Sequence, residues 1–171
     1  MKRLIPIFSI ALIAILFASC KKDSQPNGGN SYMKVKLDGQ QKEFTTGVSA
    51  IRSNLGLGLW SMIVSGASTN ESFVINLWSD GDNFGTGQNF ELAALGGTTE
   101  NSLNFMSPLG SADATSIWTS VSVGADATPE LHCTITDAND KFMKGTFSGK
   151  LYRESDGALM QATEGEFYIK Y

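Results

Sequence analysis

The sequence predicts an all-β fold, an antiparallel β-sandwich or, as its alternative, a flattened up-and-down β-barrel. Three observations lead there. Beyond residue 31 the apolar residues recur at a period of two, as in Met33, Val35 and Leu37 or Phe73, Ile75 and Leu77. Such stretches are short and regularly spaced, with Gly-, Asn- and Asp-rich turns between them. The solvated positions are mostly Ser, Thr and Asn. Lys, Arg, Asp and Glu make up only 18% of the chain, too few for the Glu/Lys faces of amphipathic helices.

The chain opens differently. Lys2 and Arg3 precede a mostly apolar run, Leu4–Phe17, which closes on Ala18, Ser19 and Cys20. This is the three-part layout of a secretory signal peptide, and it is too short for a membrane span. A cysteine directly after small residues resembles the lipobox of bacterial lipoproteins. That resemblance implies cleavage before Cys20, lipid on Cys20 and residence at the outer membrane or cell surface. Residues 1–19 are then removed, and residues 20–31 form a lipidated, flexible linker without a hydrophobic residue after Cys20. Lys21-Lys22-Asp23 resembles the short charged signals that carry Bacteroidetes lipoproteins to the surface. Residues 32–171 make a single β domain, large enough to fold from its core alone.

Within it, Tyr32–Leu37 is a half-buried strand. Asp38-Gly39 turns it back into Gln41–Thr46. Val48–Arg52 is a short strand or a connection. Leu57–Gly66 and Ser72–Trp78 are expected to pair, with Asp80–Gly87 as a loop after them. Shorter strands follow at Gln88–Leu92, Ser102–Met106 and Ile117–Val123. Leu131, Cys133 and Ile135 form the inward row of the next strand, and Asp137–Asp140 is a tight turn. Lys141–Arg153 and Ala158–Tyr171 close the chain as a hairpin around Ser155-Asp156-Gly157, with Phe167, Ile169 and Tyr171 on one face.

That hairpin, GTFSGKLY at 145–152 and TEGEFYIKY at 163–171, resembles the ending of a Bacteroidetes lipoprotein family of unknown function. VKLDGQQKEF at 35–44, GTGQNFEL at 85–92 and LHCTITDAND at 131–140 fit the same layout. The resemblance implies an all-β domain on a lipid anchor and carries no activity with it.

Charge narrows the partners. The net charge of −4 becomes −6 once Lys2 and Arg3 are removed, and no Lys or Arg occurs between Ser53 and Asp140. An acidic surface of this kind excludes nucleic acid. With Cys20 lipidated, Cys133 has no disulfide partner. The single histidine, His132, neighbours Cys133 on a strand, so the two side chains point to opposite faces. No serine-hydrolase elbow or zinc ligand set is present, and the chain is expected not to be an enzyme. Glu164 and Glu166 have a spacing open to glycosidases but lie on one strand, not on either side of a bond.

No cofactor is expected. Calcium is the one ion the residues admit, through Asp80, Asp82 and Asn83 in one loop and Asp137, Asn139 and Asp140 in another, although these are also ordinary turn residues. Trp60, Trp78, Trp118 and Tyr152 are the candidate ligand-binding residues, either as an exposed platform for a glycan or as core. The expected role is a non-catalytic module for a small ligand or glycan. The alternative is a structural or interaction component that docks to another envelope protein.

Overall fold

The computed structural model describes residues 30–92, 94–95, 99–110, 113–121 and 130–171. The signal segment, Cys20 and all but the end of the linker lie outside the described residues, as do residues 93, 96–98, 111–112 and 122–129, which include the end of the strand expected at 117–123. Thirteen strands are described. They are β1 (Tyr32–Leu37), β2 (Gln40–Phe44), β3 (Thr46–Gly56), β4 (Leu59–Ala67), β5 (Ser72–Asp80), β6 (Asn89–Glu91), β7 (Ala94–Leu95), β8 (Thr99–Glu100), β9 (Ser102–Met106), β10 (Ile117–Thr119), β11 (Glu130–Ala138), β12 (Phe142–Arg153) and β13 (Leu159–Lys170). One turn of 3-10 helix, Ala114–Ser116, precedes β10.

All the pairings are antiparallel, and the fold is all-β. Eleven strands form one sheet in the order β2-β1-β13-β12-β10-β9-β5-β4-β3, with β11 against β12 and β6 against β11. The sheet curls strongly into a half-barrel, so its two arms face each other across one core, as the layers of a sandwich do. The turn of the chain at Thr45 contributes to the curl. Phe44 pairs with Met33 of β1, whereas Thr46 already pairs with Ala67 of β4. Thr45 N donates to the Ala67 carbonyl (3.1 Å) at this change of partner.

Alternation places the core. Met33, Val35, Met62, Val64, Phe73, Ile75, Leu77, Leu103, Leu131, Ile135 and Met143 are fully buried or nearly so. Phe73 sits at its centre, with ring centroids 5.9 Å from Phe44, 5.2 Å from Phe147 and 6.3 Å from Phe105. Burying side chains of this size is the main stabilising contribution, each worth about 1.5–3 kcal/mol.

The C-terminal motif has a physical role in this core. Gly145 faces Phe167 and Phe147 faces Gly165 across the β12–β13 ladder. A Cβ on Gly145 would lie 2.2 Å from the Phe167 ring, and one on Gly165 would lie 2.6 Å from the Phe147 ring. Each glycine thus makes room for the aromatic ring of the facing strand, an arrangement known from edge glycines as aromatic rescue.

Several boundaries differ from the sequence reading. Leu57 does not begin a strand. Gly56, Leu57 and Gly58 all have positive φ (86°, 55° and 82°) and form the turn of a β3–β4 hairpin. The apolar Leu57 reads as part of the period-two row of Leu59, which hides the turn and shortens the apparent β3. Asp80 closes β5 instead of opening a loop, and Asp137 belongs to β11. Ile117–Thr119 is the strand portion of the stretch expected to run to Val123. Tyr171 is exposed, while Phe167 and Ile169 of its expected row are buried. Asp38 (φ 48°) and Gly39 (φ 79°) make the β1–β2 turn as expected, both left-handed as a type I′ turn requires.

Candidate functional site

The curl leaves a mouth at the end of the half-barrel where β1 finishes. Leu37 is the last core residue of β1. The turn after it is pinned to β13, because Asp38 N donates to the Gln161 carbonyl (2.9 Å) and Asp38 Oδ1 accepts from Gln161 N (2.8 Å). The chain then returns along β2, which brings Lys42 to Glu71 in the β4–β5 turn. Lys42 Nζ and Glu71 Oε1 are 2.7 Å apart and both side chains are largely covered. Ser107 Oγ donates to the same carboxylate oxygen at 3.4 Å.

On the other side, Trp118 of β10 lies between Phe105 of β9 and Arg153 of β12 in the ladder. The Arg153 guanidinium covers the indole at 4.8 Å, a cation–π contact. Asp156 Oδ1 lies 3.2 Å from Arg153 Nε as an ion pair, but at an angle that leaves the buried Nε–H without a hydrogen bond. Leu37, Phe105, Trp118 and Met160, with Lys42, Glu71 and Ser107, line a cavity of about 310 Å³. An apolar wall with a few fixed polar groups, at the mouth of a curled sheet, is the form of a small-ligand site.

The four aromatic candidates do not share a face, so they make no common platform. Trp60 stands in the row of Met62 and Val64, which is the core row, and packs against the core. Trp78 belongs to the opposite, outer face of the sheet and is half-buried. Tyr152 is buried, and its alternation with the inward Leu151 puts it on the outer face opposite Thr119. Only Trp118 lines the mouth. Lys42, Glu71, Phe105 and Met160 were not candidates on sequence grounds. They lie far apart in the chain, and no local pattern marks them.

No known protein resolves the question, since no protein-family model, curated protein or solved structure matches the chain.

The opposite end carries a second cavity of about 380 Å³, lined by Arg52, Asp82, Phe84, Asn139, Asp140 and Tyr171 among others. The two loops considered for calcium meet here. Arg52 Nη1 stands 3.6 Å from Asp82 Oδ1, a cation where a metal would need open oxygens. Asp80 is the last residue of β5, paired with Leu59, and Asn83 N donates to the Gly81 carbonyl (2.9 Å) in the turn that follows. Among the described residues no group of three His, Cys, Asp or Glu side chains could hold a metal ion.

On the outer face of the sheet, His132 of β11 stands between Glu91 and Glu130, each 3.8 Å away. Lys150 hydrogen-bonds Glu130 at 2.8 Å and holds its carboxyl below the usual range. Cys133 points the other way into the core, where burial pushes its thiol up to about 12. It is therefore a protonated, inert thiol at neutral pH. Glu164 and Glu166 are paired with Lys36 (2.7 Å) and Lys34 (3.5 Å) of β1, which gives both carboxylates a structural use.

Proposed function

We propose that the chain is a lipid-anchored, non-catalytic binding module of the outer membrane or cell surface, which takes a small ligand or the end of a glycan into the mouth beside Trp118. The observation that carries this reading is the wall of that cavity. Its aromatic and aliphatic side is built on paired strands, and its polar side is a Lys42–Glu71 pair already held in position. A site preorganised in this way loses little conformational freedom on binding. The address rests on the basic pair, apolar run and small residues before Cys20, and on the resemblance of the C-terminal hairpin.

The test is a binding screen of glycans and metabolites on a chain beginning at Ser31, followed by fluorescence titration of each hit. Trp118→Ala should abolish binding and Trp78→Ala should leave it intact. The reverse pattern would move the site to the outer face of β5 and refute the mouth. For the anchor, Cys20→Ser should release the protein into the soluble fraction, and retention in the membrane fraction counts against lipidation.

A second reading, a component of an envelope assembly, is favoured by one observation. β3 is an edge strand, and Ile51 and Leu55 on it are exposed. Open edges accept a partner strand. Cross-linking from residue 51 to another envelope protein in intact cells would support this reading.

A further inference from the structure

We infer that the outer face of the β11–β12–β13 ladder carries a second binding site, an open groove that takes a stretch of a neutral, hydroxyl-rich glycan chain. It is independent of the mouth beside Trp118, whose apolar wall belongs to the inner side of the sheet.

Residues 145–149 and 163–167 divide by alternation. Gly145, Phe147, Gly165 and Phe167 point inward, and the reciprocal packing of β12 and β13 explains them. Thr146, Ser148, Glu164 and Glu166 point outward, are exposed or half-buried, and have no place in the core. The register brings them beside the outward residues of β11. Thr134 faces Thr146, which faces Glu166, and His132 faces Ser148. These six side chains line one cavity of about 320 Å³, whose lining Phe147 and Gly165 complete.

A β-bulge shapes the groove. Phe147 pairs with Gly165 and Gly149 with Ala162, so Thr163 and Glu164 together stand opposite Ser148. Glu164 is left-handed there (φ 50°), a conformation that glycine or asparagine adopts more readily. Its carboxylate oxygens meet Lys36 Nζ at 2.7 Å in an exposed ion pair. A pair of that kind contributes less than a strained backbone costs. The fold alone therefore does not call for a glutamate at this position, whereas a carboxylate aimed along a groove is useful to a ligand.

The chemistry of the lining selects that ligand. All six side chains are hydrogen-bonding groups, and three are hydroxyls that both donate and accept. β12 and β13 are paired on both sides, so they offer no open edge to a peptide strand. The charges are compensated in place. Glu164 is held by Lys36, and Glu166 stands 3.5 Å from Lys34, which faces Glu43 across the β1–β2 ladder. His132 has Glu91 and Glu130 beside it, and Glu130 holds Lys150. Lys144, one row beyond Thr146, faces Asp137 and stands over the Phe142 ring at 5.0 Å. Each lysine around the groove thus has an acid beside or opposite it, and none is left to hold an acidic ligand. A cationic ligand would have to displace the lysines from Glu164 and Glu166. A neutral sugar meets donors and acceptors already fixed in position and displaces no charge, which keeps the cost of ordering low.

The experiment uses the full chain in detergent, labelled with nitrogen-15 and titrated with neutral unbranched hexasaccharides of glucose, mannose and xylose. Hexagalacturonate and hexaglucosamine are the acidic and cationic comparisons. The expected result is that a neutral hexasaccharide shifts the amide signals of Thr146, Ser148 and Gly165. It should bind about tenfold more weakly to Glu166→Gln and to Ser148→Ala, and within about twofold of the parent to Trp118→Ala. Ser148→Ala removes one half-buried hydroxyl outside the core and should keep the parent's thermal unfolding, which separates lost contact from lost fold. Binding lost in Trp118→Ala and kept in Ser148→Ala would put the sugar in the mouth, overturning the groove and leaving the mouth standing. Tighter binding of hexagalacturonate or hexaglucosamine than of every neutral chain would overturn the assignment to a neutral glycan. No binding of any neutral hexasaccharide at millimolar concentration would overturn the site.

Discussion

Replacing Gly145 by alanine adds one methyl group to a place that has no room for it. The new Cβ would lie 2.2 Å and 2.5 Å from two atoms of the Phe167 ring and 2.7 Å from the Thr134 carbonyl oxygen. The ring could swing if it had space, but it packs into the core at 2% exposure. The carbonyl belongs to the β11 backbone beside the β12 ladder and cannot retreat without disturbing that pairing. Overpacking of this kind costs about 1–3 kcal/mol, and two obstructions place Gly145→Ala near the upper end. The lower entropy of the unfolded alanine chain offsets about 0.4–1 kcal/mol. A net loss of about 2 kcal/mol remains. With an unfolding entropy of about 2 cal/mol/K per residue over roughly 140 residues, Tm falls by about 7 °C. Gly85→Ala is the matched control, because Gly85 has no atom within 4 Å of its Cβ position and no positive φ. That variant should be neutral or slightly stabilised. Thermal and urea unfolding of both variants reads the difference. Adding Phe167→Leu to Gly145→Ala should cost less than the sum of the two single changes, by about 1 kcal/mol. If Gly145→Ala unfolds within about 0.5 kcal/mol of Gly85→Ala, the reciprocal Gly/Phe packing is not what holds β12 against β13.

Further outcomes follow from the same structure. Leu57→Asn should raise stability by about 1 kcal/mol, since it relieves a left-handed leucine that packs against nothing; equal or lower stability in urea unfolding would refute the strain. Cys133 should resist thiol reagents at pH 8 and react only as the protein unfolds, which a time course in increasing urea would show. Its folded-state value is raised from near 9 to about 12, so the folded protein keeps the proton longer than the unfolded chain. Its contribution to stability is full below about pH 9 and is lost as pH rises towards 12. Cys133→Ala should flatten that alkaline decline, and an unchanged slope would assign it to other groups. Trp118→Ala should lower affinity for any ligand of the mouth by at least tenfold, equal to about 1.4 kcal/mol, and isothermal titration would measure it.

Much of the fold was legible because period two is a local property. Tyr32–Leu37 with its Asp38-Gly39 turn, the inward row of Leu131, Cys133 and Ile135, and the C-terminal hairpin all follow from side-chain alternation and turn chemistry. The β3–β4 turn was not legible, because Leu57 continues an apolar rhythm while its backbone turns back. The site was less legible still. Alternation places Trp78 opposite the inward row of Phe73, Ile75 and Leu77, and Trp60 in the row of Met62 and Val64, but it does not say whether that second row faces inward.

By itself the sequence determined the all-β class, most strand positions and the two-sided character of each strand. It also determined the acidic, base-free middle of the chain and the separation of His132 from Cys133. Only the tertiary structure decided that one sheet curls into a half-barrel, that Trp60 faces the core, and that Lys42, Glu71, Phe105, Trp118 and Met160 meet at one mouth. The reason is physical. Alternation is fixed by neighbours one and two residues away, whereas strand order and curl depend on which distant rows bury each other best. The GTF and GEF segments show both at once: each is an ordinary piece of strand, and the antiparallel register sets each glycine under the other's phenylalanine.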